Sequence, residues 1–312
     1  MILSPTIITI LSLNFIFLIF GAIAFFLSIR IYQKWNLQAT TNLQYKLEKQ
    51  SYLAATIIKY IFLIKIPLFL FFIFTLDNIS NSITGAMCAA GVVDATPYGI
   101  YLFIFKIINI YLFGYWLMLH HKDSKDENFS LTKQKFFIFI VAFLLLIVEI
   151  TLELLMFLAI DLTQIVSCCG TLYSSTSSSY ISNIFLISPT LQLIVFYTLF
   201  TLMILGYFFK NKYFFIIINF LFLLIAIITL ISFFGTYIYE LPTHHCPFCF
   251  LQKDYNYVGY FLYTFLFFGT FFGMGVGFFK NGFKWSLTFN MLYIILITYY
   301  PVSYYLKNGV WL

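Results

Sequence analysis

Residues 213–238 read YFFIIINFLFLLIAIITLISFFGTYI, twenty-six positions without an Asp, Glu, Lys, Arg or His. A helix rises about 1.5 Å per residue, so this run as a helix exceeds a hydrocarbon core of roughly 30 Å. A helix at the edge of a water-soluble core keeps a polar face, whereas this one is apolar on every side. Lipid is the solvent that such a segment matches.

The same pattern recurs along the 312 residues. Apolar runs lie at about 6–28, 55–76, 98–119, 136–160, 186–209, 213–238, 257–279 and 286–306. They are too long and too evenly apolar for barrel strands, and a backbone in lipid must satisfy its own hydrogen bonds, which a helix does. Composition agrees: 62% of residues are hydrophobic, 22% aromatic and only 9% charged, with a mean hydropathy of +0.97. The expectation is an all-α integral membrane protein, one polytopic transmembrane domain over residues 1–312 with about eight spans and no soluble domain.

Orientation follows from Lys and Arg, which stay on the cytoplasmic side in short loops. Arg30, Lys34, Lys46 and Lys49 lie in the first loop, Lys122, Lys125, Lys133 and Lys135 in the third, Lys210 and Lys212 in the fifth, Lys280 and Lys284 in the seventh. The other loops and both tails hold only Lys253 and Lys307. This bias places both termini outside, with the lipid bilayer as first partner and a bacterial inner membrane as the compartment. The net charge of +6 then serves topology and contact with anionic lipid. No basic face with interleaved stacking residues exists, so nucleic acid is excluded as a partner. No nucleotide-binding loop is present either. Residues 30–54 mix Leu and Tyr with Gln, Thr, Lys and Glu and predict an amphipathic helix on the cytoplasmic surface.

This topology puts all five cysteines on the outer side: Cys88 in the second loop, Cys168 and Cys169 in the fourth, Cys246 and Cys249 in the sixth. Sulfur gathered there points to thiol redox or to metal. In the segment His244-His245-Cys246-Pro247-Phe248-Cys249-Phe250-Leu251-Gln252-Lys253, two thiols separated by two residues can close a small disulfide ring, and Pro247 restrains the turn between them. Cations from His244, His245 or Lys253 would favour the thiolate that attacks a disulfide.

The run Cys246-x-x-Cys249-x-x-Gln252-Lys253 resembles the active segment of the DsbB-type quinone-dependent thiol oxidases, with Lys253 where that family usually carries Arg. The resemblance implies that Cys246 and Cys249 form a redox pair and that Gln252 and Lys253 lie near a quinone head group. Cys168, Cys169 and Cys88 would then relay electrons, and a periplasmic thiol carrier would be the partner.

The same residues carry a second reading. His244, His245, Cys246 and Cys249 offer two imidazoles and two thiolates, and Met87, Cys88, Cys168 and Cys169 could add soft ligands, a set suited to Cu(I) or Zn(II). The partner would then be an exported metalloenzyme. A third reading is a non-catalytic subunit held among other membrane subunits.

Two further features stand inside spans. Glu149 and Glu153 are four apart on one helix face, with Lys65 and Lys106 in other spans as candidate partners. They form either an internal salt bridge or a proton or cation path. Gly269, Gly273, Gly275 and Gly277 include a Gly-x-x-x-Gly spacing that lets helices approach closely.

Overall fold

The computed structural model describes residues 4–36, 39, 41–86, 88–126, 129–161, 187–279 and 281–312. Each long apolar run forms a helix. In chain order these are α1 (Pro5–Lys34), α2 (Asn42–Ser80), the short α3 (Ala89–Asp94), α4 (Gly99–Asp123), α5 (Thr132–Ala159) and α6 (Pro189–Phe209). They continue with α7 (Lys212–Tyr239), α8 (Val258–Met274) and α9 (Gly282–Asn308). The fold is an all-α bundle.

Seven of these helices, all but α3 and α8, are long and apolar enough to cross a membrane. The eighth expected span, α8, is an apolar helix of 17 residues, or about 26 Å, at the lower limit for spanning. The separate surface helix expected over 30–54 is also corrected. Helix α1 runs on to Lys34, and the polar residues from Asn42 form the leading part of α2, whose 39 residues extend to about 58 Å, nearly twice the hydrocarbon thickness.

Local chemistry sets the turns. Lys210 takes a left-handed conformation (φ 52°) that ends α6, and the Asn211 side chain accepts the Phe214 amide to start α7. Between α4 and α5, buried Asp123 accepts from the Leu131 amide at 3.1 Å, Thr132 Oγ1 at 2.9 Å and Lys135 Nζ at 2.5 Å. Trp116 Nε1 donates to the Lys135 carbonyl at 3.0 Å.

The chain forms two compact units, Met1–Thr84 with Val92–Gln164, and Gly85–Gly91 with Ile165–Leu312. In the first, α1 packs on α2 and α5, and α4 packs on the same two helices. In the second, α6 packs on α7 and α9, and α8 packs on the same two. Among the described residues each unit is therefore a closed arrangement of four long helices with its own interior.

The first interior is aromatic and charged. Phe62 stacks on Phe113 with centroids 4.1 Å apart and meets the Trp116 edge. At its centre Glu149 accepts from Lys65 at 2.9 Å, Lys106 at 3.1 Å and Asn109 at 2.5 Å. Glu153 faces Lys106 at 3.2 Å and accepts from Asn14 at 2.8 Å. The salt bridge read from the i, i+4 spacing is present. Asn14 and Asn109 join it, although the sequence reading passed over them. A polar residue inside the run 6–28, and one three positions after Lys106 on the same face, were the available signals.

The second interior is aromatic and neutral. Phe196 stacks on Phe222 at 5.3 Å, and Tyr293 closes the group. Asn290 donates to Asn219 at 3.1 Å, and Ser286 donates to the same Asn219 oxygen at 3.0 Å. A methyl on Gly269 would lie 2.2 Å from Asn290 Oδ1, and one on Gly273 would lie 2.1 Å from Asn219 Cγ. The Gly-x-x-x-Gly spacing of α8 thus admits two asparagine side chains.

Outward faces carry Phe15, Phe26, Phe208 and Phe209, each more than half exposed. Large apolar side chains spread along whole helices in this way match lipid rather than water.

A buried three-cysteine cluster

The site is built at the end of α7. A π-helical turn over Leu230–Phe234 widens that helix, and Gly235 follows because a Cβ there would sit 2.9 Å from the Leu230 carbonyl. Glu240 (φ 53°) ends the helix, and the chain passes through His244, His245 and Cys246 into two short 3-10 turns, Cys249–Leu251 and Lys253–Tyr255. Asn256 and Tyr257, both left-handed, turn it into α8.

Tyrosines fasten this loop. Tyr239 donates to the Cys246 carbonyl and stacks on Phe250 at 5.4 Å. Tyr263 donates to the Pro247 carbonyl at 2.5 Å. Gly259 lets the loop lie against α8, since a Cβ there would come 2.9 Å from the Phe250 carbonyl. Together these contacts hold the Cys246 and Cys249 backbone against the helix ends.

Cys88 joins them from far away in the chain. It precedes α3, and its carbonyl accepts the Gly91 amide at 3.1 Å. Its sulfur lies 3.5 Å from Cys246 Sγ and 3.6 Å from Cys249 Sγ. All three sulfurs lie within 4.8 Å of one another. Cys88 is 0%, Cys246 1% and Cys249 6% exposed, all within one apolar cluster of the second unit. Cys246 and Cys249 are free thiols.

This arrangement corrects the expectation of a thiol–disulfide oxidoreductase. Such catalysis needs a thiolate that a partner's disulfide can reach. Here the Cys246–Cys249 pair is sealed in the interior and shares its space with a third sulfur. Nor do cations activate the pair. Lys253 is exposed, and burial pushes the His244 pKa down, which keeps that ring neutral near neutral pH. Thiol hydrogen bonds from Cys249 and Cys88 hold the Cys246 pKa down, against the cost of burial. The Cys249 thiol is pushed up by the same hydrogen bond to Cys246.

Zn–S bonds measure about 2.3 Å, and three sulfurs at that length around one ion sit ~3.8–4.0 Å apart. The two S···S separations of 3.5 and 3.6 Å need only a few tenths of an ångström of expansion to accept it. All-thiolate donor sets favour Cu(I) and Zn(II) over hard cations.

The remaining candidates sit elsewhere. Among the described residues the cluster holds cysteines only. His245 turns its Nδ1 to the Ile231 carbonyl at 3.0 Å, and His244 packs edge-on to Tyr239 at 4.2 Å. Gln252 is half-buried and works through its backbone, accepting the Tyr255 and Tyr257 amides. Met87, Cys168 and Cys169 lie outside the described residues.

Comparison of the chain with protein-family models, with curated proteins and with solved structures returns no match. The functional reading therefore rests on the geometry of the cluster.

Proposed function

We propose that this chain is a membrane metal-handling protein that holds a soft ion, Cu(I) or Zn(II), on Cys88, Cys246 and Cys249. The observation that supports it is the meeting of three buried thiols from segments 158 and 161 residues apart at separations that suit one ion. Thiols brought together in an apolar interior gain little from one another, because S–H is a weak donor. An ion that replaces their protons supplies the missing interaction.

The proposal extends to sidedness. Among the described residues four long apolar helices, α4 to α7, lie between Cys88 and Cys246, and four crossings would return the chain to the side it left. The charge bias makes that side the outer one, the periplasmic face of a bacterial inner membrane. Three protein ligands leave a coordination position for an incoming ligand, as exchange with an exported metalloenzyme requires. The test is metal content of purified protein after loading with Cu(I) or with Zn(II). Near-stoichiometric ion in the wild type, lost in Cys88→Ser, is the expected result. Equal content in the two proteins would overturn the reading.

A further inference from the structure

The charged cluster of the first unit takes no part in the metal reading. Its hydrogen-bond accounting does not close. Glu153 is 1% exposed, and while Oε2 faces Asn14 and Lys106, Oε1 has no hydrogen-bond partner among the described residues. The side-chain oxygens of Asn14 and Asn109, both fully buried, likewise lack partners among the described residues. Three bare acceptors in one network mean a shortage of donors, and a bare carboxylate oxygen away from water is the costliest of the three.

The two carboxylates are unequally held. Glu149 receives Lys65 and Lys106 on one oxygen and Asn109 on the other. Glu153 has only Asn14 and a share of Lys106. The Lys106 ammonium, 3.2 Å from the Glu153 carboxylate, argues against a metal cation there, so the donor that fits is a proton. A space of about 10 Å³ lined by Lys65, Lys106 and Glu149 is the size of one water, and Lys106 links that space to Glu153.

We propose that Glu153 is a proton-binding site inside the membrane. Its carboxylate takes a proton from hydronium on Oε1, forming an O–H bond and leaving water, and returns it by the reverse step. The charge of the cluster passes from zero, with two Lys and two Glu, to plus one. Asn14 can serve both states, because its amide offers NH₂ to a carboxylate and, after rotation, its carbonyl to a carboxylic acid. The charged group in contact with Glu153 is Lys106 from α4, which also pairs with Glu149 of α5; Lys65 of α2 reaches Glu149, and α1 contributes neutral Asn14.

Infrared difference spectra of the full-length protein between neutral and acid pH test this. The wild type should show a carboxylic-acid C=O band that grows on acidification and exchanges slowly in D₂O. Glu153→Gln, an isosteric change, should lose it. Absence of a slowly exchanging band in the wild type would overturn the proposal, as would its persistence in Glu153→Gln. The wild-type spectrum alone decides if a variant fails to fold. None of these residues belongs to the unit that holds the cysteines, so loss of the metal reading would leave this one standing.

Discussion

The two four-helix units are alike in connectivity and opposite in what they bury. The first closes around two lysines and two glutamates, the second around two asparagines, a serine and, near one end of its helices, three thiols. Within lipid a charged interior holds together only as a complete set, because each ion depends on its partner for solvation. A neutral amide interior tolerates partial loss, since each hydrogen bond contributes about 1 kcal/mol. The first unit is therefore the brittle one, and the second can give up its cysteine protons to a metal without loss of its packing.

That contrast can be broken in order of expected size. Lys106→Met, which leaves Glu153 without its cation, should destabilise the protein by about 3–5 kcal/mol. Thermal unfolding in detergent reads this as a large fall in midpoint or as failure to accumulate, and a near-wild-type midpoint would remove the distinction between the units. Cys88→Ser should lower affinity for the loaded ion by about 100-fold or more, since loss of supporting residues alone costs about 10–100-fold. Its metal-free unfolding should stay close to that of the wild type, which a competition titration and a melt on one preparation would compare.

Smaller effects sharpen the picture of the second unit. Gly273→Ala places a methyl 2.1 Å from Asn219 Cγ and should cost about 1–3 kcal/mol as overpacking, seen as a modest drop in the melting midpoint. Tyr239→Phe deletes the hydroxyl that holds the Cys246 carbonyl. It should cost about 1 kcal/mol, which appears as a roughly fivefold weaker ion affinity if the loop must be held for the sulfurs to converge. An unchanged affinity would mean that Tyr263 and the 3-10 turns suffice.

The helices were legible because an apolar run of twenty residues has few other folds open to it. Local pairs were legible as well: Glu149 and Glu153 share a face by helical periodicity, and their lysine partners followed from the cost of charge in lipid. The helix termini were harder to read, as the join of residues 42–54 onto α2 shows, since polar content marks exposure and says little about where a helix stops. The Gly-x-x-x-Gly spacing announced close approach without naming Asn219 and Asn290 as the groups that approach.

The cluster was half visible. Cys246-x-x-Cys249 is local and was found, whereas its union with Cys88 depends on four intervening helices whose packing no spacing rule specifies. Exposure misled for the same reason. Loop position suggests an accessible thiol, but Tyr239, Phe250 and Gly259 fold this loop against its helices and bury its sulfurs.

X-ray absorption on the metal-loaded protein tests the central claim most directly, because it counts the atoms bound to the ion. The account predicts a first shell of about three sulfurs near ~2.3 Å, reduced by one in Cys88→Ser. A shell of nitrogen and oxygen, or one unchanged by that substitution, would contradict it.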